Sequence, residues 1–384
     1  MLIPISNAPR EYSWGSPTLI PGLEGRVPSG RPEAEIWYGD HPGSPSRTAD
    51  GLTLDRALAD AGAAPLPYLL KVLAAGMSLS IQAHPSRAEA QEGFAREEEA
   101  GIPRDADVRT YRDDNHKPEI IVALSDRFRA LVGLRPLDRT RRLLAGLGDG
   151  HGVQELRRRL EGDDEPALLR GALAWALSDA AQDEIDDIVA AIGAADVDGF
   201  APELEVLRRI AADFPGDPGV VVALLMNLVE LRRGEALFAP AGVLHAYQEG
   251  LGVELMAASD NVLRGGLTPK HVDVDELLRI VDTSPGPAPV IAPVPLDGVD
   301  GAEVYDAGVP DFSLVRTVVA PGRPQRLPVA GPTIVLAVRG EVTVDTPGGS
   351  TVLAAGSAAF VSADEGEVRL DGDGEVFLAR PGTR

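Results

Sequence analysis

The spacing of apolar residues changes twice along this chain, and that change limits its folds more than any other feature. Up to about residue 137, short apolar runs such as Tyr68 to Leu73 and Glu119 to Leu124 alternate with Pro- and Gly-rich stretches, as buried strands and loops do. From about 138 the spacing becomes three and four. It predicts helices over Arg139 to Leu147, Val153 to Leu160, Glu165 to Leu177, Gln182 to Ile192 and Pro202 to Ile210, with an apolar helix over Val220 to Leu231 closing the block. Strand character returns near Glu235 and runs through Leu255. A short amphipathic helix over Asp273 to Val281, capped by Asp273, follows. A chain of 384 residues exceeds one ordinary domain. The expected organisation is a β-barrel interrupted by a helical insertion.

The second half of that expectation lies beyond a proline-rich stretch. Pro285-Gly286-Pro287-Ala288-Pro289, then Pro293 and Pro295, have linker composition. From about 303 to 380 the chain reads as consecutive short strands, with Thr333 to Arg339, Glu341 to Asp345, Ser350 to Leu353 and Glu375 to Ala379 separated by Gly-rich turns. That pattern fits an antiparallel barrel or jelly roll. The division is therefore 1–137 for the first part of a catalytic barrel, 138–234 for the insertion, 235–284 for the second part, 285–302 for a linker and 303–384 for a second barrel. No histidine follows His271, so the last domain offers no imidazole ligand and is expected to be structural or a lid.

Composition removes several functions. A formal net charge of −23 disfavours nucleic acid and anionic membranes as general partners. There is no cysteine, hence no disulfide and no thiolate metal site. No stretch reaches the length of a membrane span, and Met1 to Ser6 lacks the pattern of a signal peptide, so a cytoplasmic protein is expected. Of 36 basic residues only Lys71, Lys117 and Lys270 are lysine, so Lys117 and Lys270 are singled out as positions where a compact donor serves better than a guanidinium.

Four polar residues stand in apolar, strand-like settings where burial without a partner is costly: Gln82 and His84 in S-I-Q-A-H-P, Glu119 in N-H-K-P-E, and His245 in G-V-L-H-A-Y. One amide, two imidazoles and one carboxylate suit a borderline divalent ion such as zinc. Their single negative charge leaves a dication able to take an oxygen-rich ligand. Gln82 and His84 are two apart, as are His245 and Tyr247, so on strands each pair shares a face.

The runs S-I-Q-A-H-P-S, Y-R-D-D-N-H-K-P-E, A-P-A-G-V-L-H-A-Y and L-G-V-E-L-M-A-A-S-D-N-V-L-R-G-G-L-T-P-K resemble type I mannose-6-phosphate isomerases, and so does Pro32 to Ser46. The resemblance covers roughly residues 7 to 282 in blocks, and is slight in the last domain. It implies a mainly β fold of cupin-type jelly-roll barrels with an α-helical domain. It also implies one zinc ion per chain on Gln82, His84, Glu119 and His245, a monomer, and interconversion of mannose 6-phosphate and fructose 6-phosphate through a cis-enediol. Candidates for the proton carrier are Lys117, His116, Glu254 and Asp260, with no choice made among them. Glu254 is equally a partner that orients a ligand, and Asp260 an anchor for the turn before Asn261. Arg264 suits a developing enediolate or the phosphate. Lys270 and Ser80 are further phosphate contacts, and Tyr247 lines the pocket. His41 and Trp14 are expected to be structural. Two rivals stand beside this reading: a cupin oxygenase, which wants a site richer in histidine, and a phosphosugar-binding protein without turnover, in which the proton-transfer residues are dispensable.

Overall fold

A computed structural model describes residues 1–382. Its centre is the 13-residue strand His245–Ala257, almost wholly buried, which pairs antiparallel with four others. The first half, His245 to Glu249, lies beside Gln82–Ala83 and Phe128–Leu134. The second half, Gly250 to Ala257, lies between Tyr68–Ala75 and Glu119–Ala123. The register slips between Tyr247 and Glu249, and Gly250 follows with φ +123°, where a Cβ would meet Phe128 at 2.7 Å. A bulge followed by a glycine lets one strand turn a corner between two layers. It also shifts the alternation, so Tyr247 and Glu254, an odd seven residues apart, line the same cavity.

The helical block spans Leu137–Gly146, His151–Arg159, Glu165–Ala176, Gln182–Ala194, Ala201–Asp213 and Gly219–Leu225. Its core is aliphatic, with Leu144, Leu156, Leu173, Ile188 and Leu207 among the buried residues. The expected helix over Val220 to Leu231 stops at Leu225. Met226–Leu231 is instead a strand paired with Phe128–Leu134. The free edge of that neighbour offers backbone partners along its length, and such pairing overrides local spacing. Besides the single turn Leu19–Leu23, two longer helices also lie in the stretch read as strands and loops, Leu54–Asp60 and Arg87–Glu99. The second opens on a capping box. Ser86 Oγ accepts from Glu89 N, and the Glu89 carboxylate accepts from Ser86 N at 2.8 Å. The predicted Asp273 cap is present on Val274–Ile280, its side chain accepting from Glu276 N at 3.0 Å.

The second sheet is built on two 14-residue strands, Thr333–Thr346 and Glu367–Arg380, paired along most of their length. Thr333 to Arg339 and Glu341 to Asp345 are thus one strand, bent at an irregularity beside Gly340. There φ is +69° and a Cβ would sit 1.9 Å from the Asp373 carbonyl oxygen. Leu2–Ser6, at the very start of the chain, pairs with Ala358–Val361 and so belongs to this second sheet. The two sheets also share a core. Ile36, Tyr38, Tyr68, Ile120 and Leu255 pack with Ile334, Leu336, Phe360 and Phe377. Tyr68 Oη donates to the carbonyls of Pro332 and Ala379, both at 2.8 Å, and Tyr38 Oη to Gly356 at 2.6 Å. Among the described residues no helix is long and apolar enough to cross a membrane.

Candidate metal centre

His84, Glu119 and His245 come from three separate segments, are buried, and bring one ligand atom each to within 4.8 Å of the others. Glu119 lies between the imidazoles: Oε1 is 3.3 Å from His84 Nε2 and Oε2 is 3.1 Å from His245 Nε2. The far side of each ring is tied to the backbone. His84 Nδ1 lies 2.8 Å from the Asn261 carbonyl, and His245 Nδ1 lies 3.1 Å from that of Val243. A carbonyl only accepts, so each Nδ1 carries a proton and each Nε2 is the nitrogen turned inward. Burial first, and then the Lys117 charge, push the His84 pKa down to about 4 against the pull of Glu119, which keeps that imidazole neutral. His84 Nε2 is buried without a hydrogen-bond partner. Two imidazole Nε2 atoms turned toward one carboxylate form a donor set that a divalent cation fits.

Gln82 lies beside this set by register. It stands opposite His245 on one side and Arg264 on the other. Its Nε2 donates to Ser80 Oγ at 3.0 Å, so the amide oxygen remains free for a cation. Lys117 Nζ donates to Glu119 Oε1 at 2.9 Å. Burial would raise the Glu119 pKa, but the Lys117 charge beside it opposes that, and the carboxyl is held well below the usual carboxylate range. The organiser is Asn261, fully buried. Its Oδ1 accepts from Arg112 N at 2.7 Å, its Nδ2 donates to the carbonyls of Asp113 and Asn115 at 2.8 Å each, and its own carbonyl holds His84.

Behind these groups lies a small polar cavity lined by Ser80, Gln82, Lys117, Glu119, His245, Tyr247, Glu254, Glu35 and Lys71 among others. Lys71 pairs with Glu254 at 3.1 Å and Glu35 at 3.5 Å, and Glu35 also accepts from Trp37 Nε1 at 2.7 Å. Burial opposes the charge on Lys71, yet Glu35, Glu254 and Glu119 together outweigh it and raise its pKa. Burial raises the Glu254 pKa, and the Glu119 and Glu35 charges add to that against Lys71. The Tyr247 hydroxyl is buried and unpartnered.

Arg264 is half-buried on the strand beside Gln82. Burial, and then the neighbouring Arg112 charge, lower its pKa; burial, Arg264 and Arg112 lower that of Lys270. The three therefore concentrate positive charge on one side of the site. Two candidates lie elsewhere. His116 faces away to Asp311 at 2.7 Å, and Asp260 is largely exposed and pairs with His41 at 3.4 Å. His41 in turn stands edge-on to Trp37, and Trp14 stacks on Tyr12. Sequence reasoning missed Glu35, Lys71, Arg112 and Asn261 as parts of the site. Arg112 and Glu35 both lie in segments already singled out, Arg112 five residues before Lys117 and Glu35 within Pro32 to Ser46.

Comparison with known proteins agrees with this geometry. A family model described as phosphomannose isomerase type I, catalytic domain, matches residues 2–137. The mannose-6-phosphate isomerase of Salmonella typhimurium is 35% identical over 387 residues, covering 96% of this chain and 97% of that one. The human mannose-6-phosphate isomerase is 29% identical, covering 95% and 94%. Among solved structures, a zinc-bound mannose 6-phosphate isomerase superposes with a TM-score of 0.89 at 32% identity, with all of both chains covered. The Salmonella typhimurium enzyme bound to fructose 6-phosphate and zinc gives 0.88 at the same identity and coverage. With this similarity running the length of the chain over two antiparallel sheets and a helical region, the protein has the cupin-type architecture and belongs to the type I phosphomannose isomerase family.

Proposed function

We propose that Gln82, His84, Glu119 and His245 hold one zinc ion, and that the cavity behind them interconverts D-mannose 6-phosphate and D-fructose 6-phosphate. The observation that carries this reading is the convergence of two imidazole Nε2 atoms and one carboxylate at the mouth of a polar cavity. Zinc bound there supplies a Lewis acid that polarises the sugar oxygens. The chain's own residues do the rest. Arg264, Arg112 and Lys270, with Ser80, gather the charge that suits a phosphate, and a guanidinium can meet it through two hydrogen bonds. Tyr247 offers the open sugar a buried hydroxyl that has no other partner.

The isomerisation needs a group that takes the C2 proton of the open-chain aldose and returns it to C1. The aldehyde oxygen gains a proton as the enediol forms, and the C2 hydroxyl loses one as the ketone forms. Glu254 fits the carbon-to-carbon transfer. It lines the cavity, and burial raises its pKa toward the range in which a base works near neutrality. Lys117 fits the oxygen transfers, since its ammonium lines the same cavity. His116 and Asp260 support the loops around them. We further read the chain as a cytoplasmic monomer divided at 137, 234, 284 and 302.

The test is a coupled assay for fructose 6-phosphate from mannose 6-phosphate, run on metal-stripped protein and again after zinc is restored. Turnover should disappear and return with the metal. A folded, zinc-loaded protein with no turnover sinks the isomerase reading.

A further inference from the structure

The second sheet holds no histidine, yet it sends one carboxylate into the neighbourhood of the metal centre. Asp311 lies in the turn between Ala302–Tyr305 and Ser313–Val319 and is 7% exposed. Its Oδ2 accepts from His116 Nε2 at 2.7 Å, and its Oδ1 accepts from Arg87 Nη2 at 3.1 Å. Arg87 and His116 also approach each other, with Nη2 2.9 Å from Nε2. These two residues are not arbitrary points on the first domain. Arg87 is three residues after His84, and His116 is three residues before Glu119. Each connecting segment contains a proline, Pro85 in one and Pro118 in the other, which fixes a backbone angle and stiffens the link.

We infer that Asp311 is a positioning residue for the metal centre: by gripping Arg87 and His116 together, it sets the separation of the segments that present His84 and Glu119. This inference rests on the zinc site proposed above. Three residues of chain span at most roughly 10 Å, so a shift at the clamp reaches the ligands with little slack. The clamp is itself braced. Phe312, next in sequence, is 2% exposed in the core shared by both sheets, and the Pro310 carbonyl accepts from Gly382 N at 3.1 Å. Burial alone would raise the Asp311 pKa, but the hydrogen bonds and charges of His116 and Arg87 outweigh it and keep the carboxylate ionised. Asn261 ties His84 to the 112–115 loop from inside the first domain, and Asp311 ties the same two segments from outside it.

The experiment measures zinc affinity of the full chain by competition with a chromophoric chelator. It compares the unmodified protein with Asp311→Asn, Arg87→Gln and Glu375→Gln. Glu375 makes another ionic contact between the sheets, to Arg233 at 2.7 Å, and serves as the control for a loosened interface. Asp311→Asn should weaken zinc binding by about tenfold or more, the range seen when a partner of a ligand is lost. Arg87→Gln, at a half-exposed site where folding is not at stake, should weaken it in the same direction, while Glu375→Gln should leave it unchanged even if the melting temperature falls. Unmodified affinity in Asp311→Asn, or in Arg87→Gln should Asp311→Asn fail to fold, overturns the inference and leaves the zinc site standing. So does an equal loss in Glu375→Gln. Failure of the unmodified chain to bind zinc overturns both readings together.

Discussion

The two sheets solve the same architectural problem with opposite interiors. In each, a long strand turns a corner where the register slips beside a glycine, Gly250 in the first and Gly340 in the second. The second sheet fills its inside with Val315, Val335, Val342, Val344, Leu370 and Val376. The first lines its cavity with Glu35, Lys71, Lys117, Glu119, His245 and Glu254. Architecture alone therefore makes no site; the inward-facing side chains do. A polar interior is stable only where each charge meets an opposite one. Three cavity carboxylates against two lysines, counted as ionised, leave one negative charge. A dication reverses that sign and makes room for an anionic sugar oxygen.

The sharpest way to break this comparison is to remove a charge that balances the first interior. Lys71→Met leaves Glu35 and Glu254 buried without a cation and should destabilise the fold by about 3–5 kcal/mol in denaturant unfolding. An unchanged unfolding midpoint would show that the cavity is wetter than its burial implies. Next comes Arg264→Ala, expected to lower kcat by about 10²–10³ while zinc content stays at one per chain. Near-normal turnover would return Arg264 to an ordinary surface role. Val344→Ala, in the apolar interior, should cost about 2 kcal/mol and leave turnover per folded molecule untouched. A change in kcat there would mean that the second interior reaches the site by packing.

The smallest effect is a pH dependence at the rim of the first domain. Burial would raise the Glu276 pKa, but hydrogen bonds from Arg279, Tyr111 and Arg96 outweigh it and lower it from 4.5 to about 2. A depressed carboxylate pKa stabilises the fold above the unfolded value and loses that contribution as pH falls through the folded one. The melting-temperature gap between the unmodified protein and Glu276→Gln should therefore be full at pH 5 and above, and should close between about 4.5 and 2. A gap that persists at pH 2 would rule out the charge as its source.

Much of the site was legible because its chemistry is local. A histidine or glutamate inside an apolar run states its own cost of burial, and all four ligand candidates stand in such runs. Helices with their own caps were legible for the same reason; Asp273 and the Ser86–Glu89 box are both contained in four residues. The Ser86 signal is present in the sequence, but the Pro- and Gly-rich stretches around it favour loops. Met226–Leu231 could not be read locally, since its partner lies about a hundred residues away in Phe128–Leu134.

What the sequence by itself determined is the set of candidate metal donors, the helical block between two β regions, and the exclusion of thiolate chemistry. Tertiary structure alone decided which charges would balance that set. A one-residue bulge placed Glu254 on the same side as Tyr247, where simple alternation would have opposed them. Pairing with Glu254 and Glu35 made Lys71 a buried ion rather than a stray lysine, and Asp311 reached the first domain from nearly two hundred residues downstream of His116. The physical reason is the same in each case. The cost of burying a polar group is a property of the residue, whereas the partner that offsets it is a property of the fold.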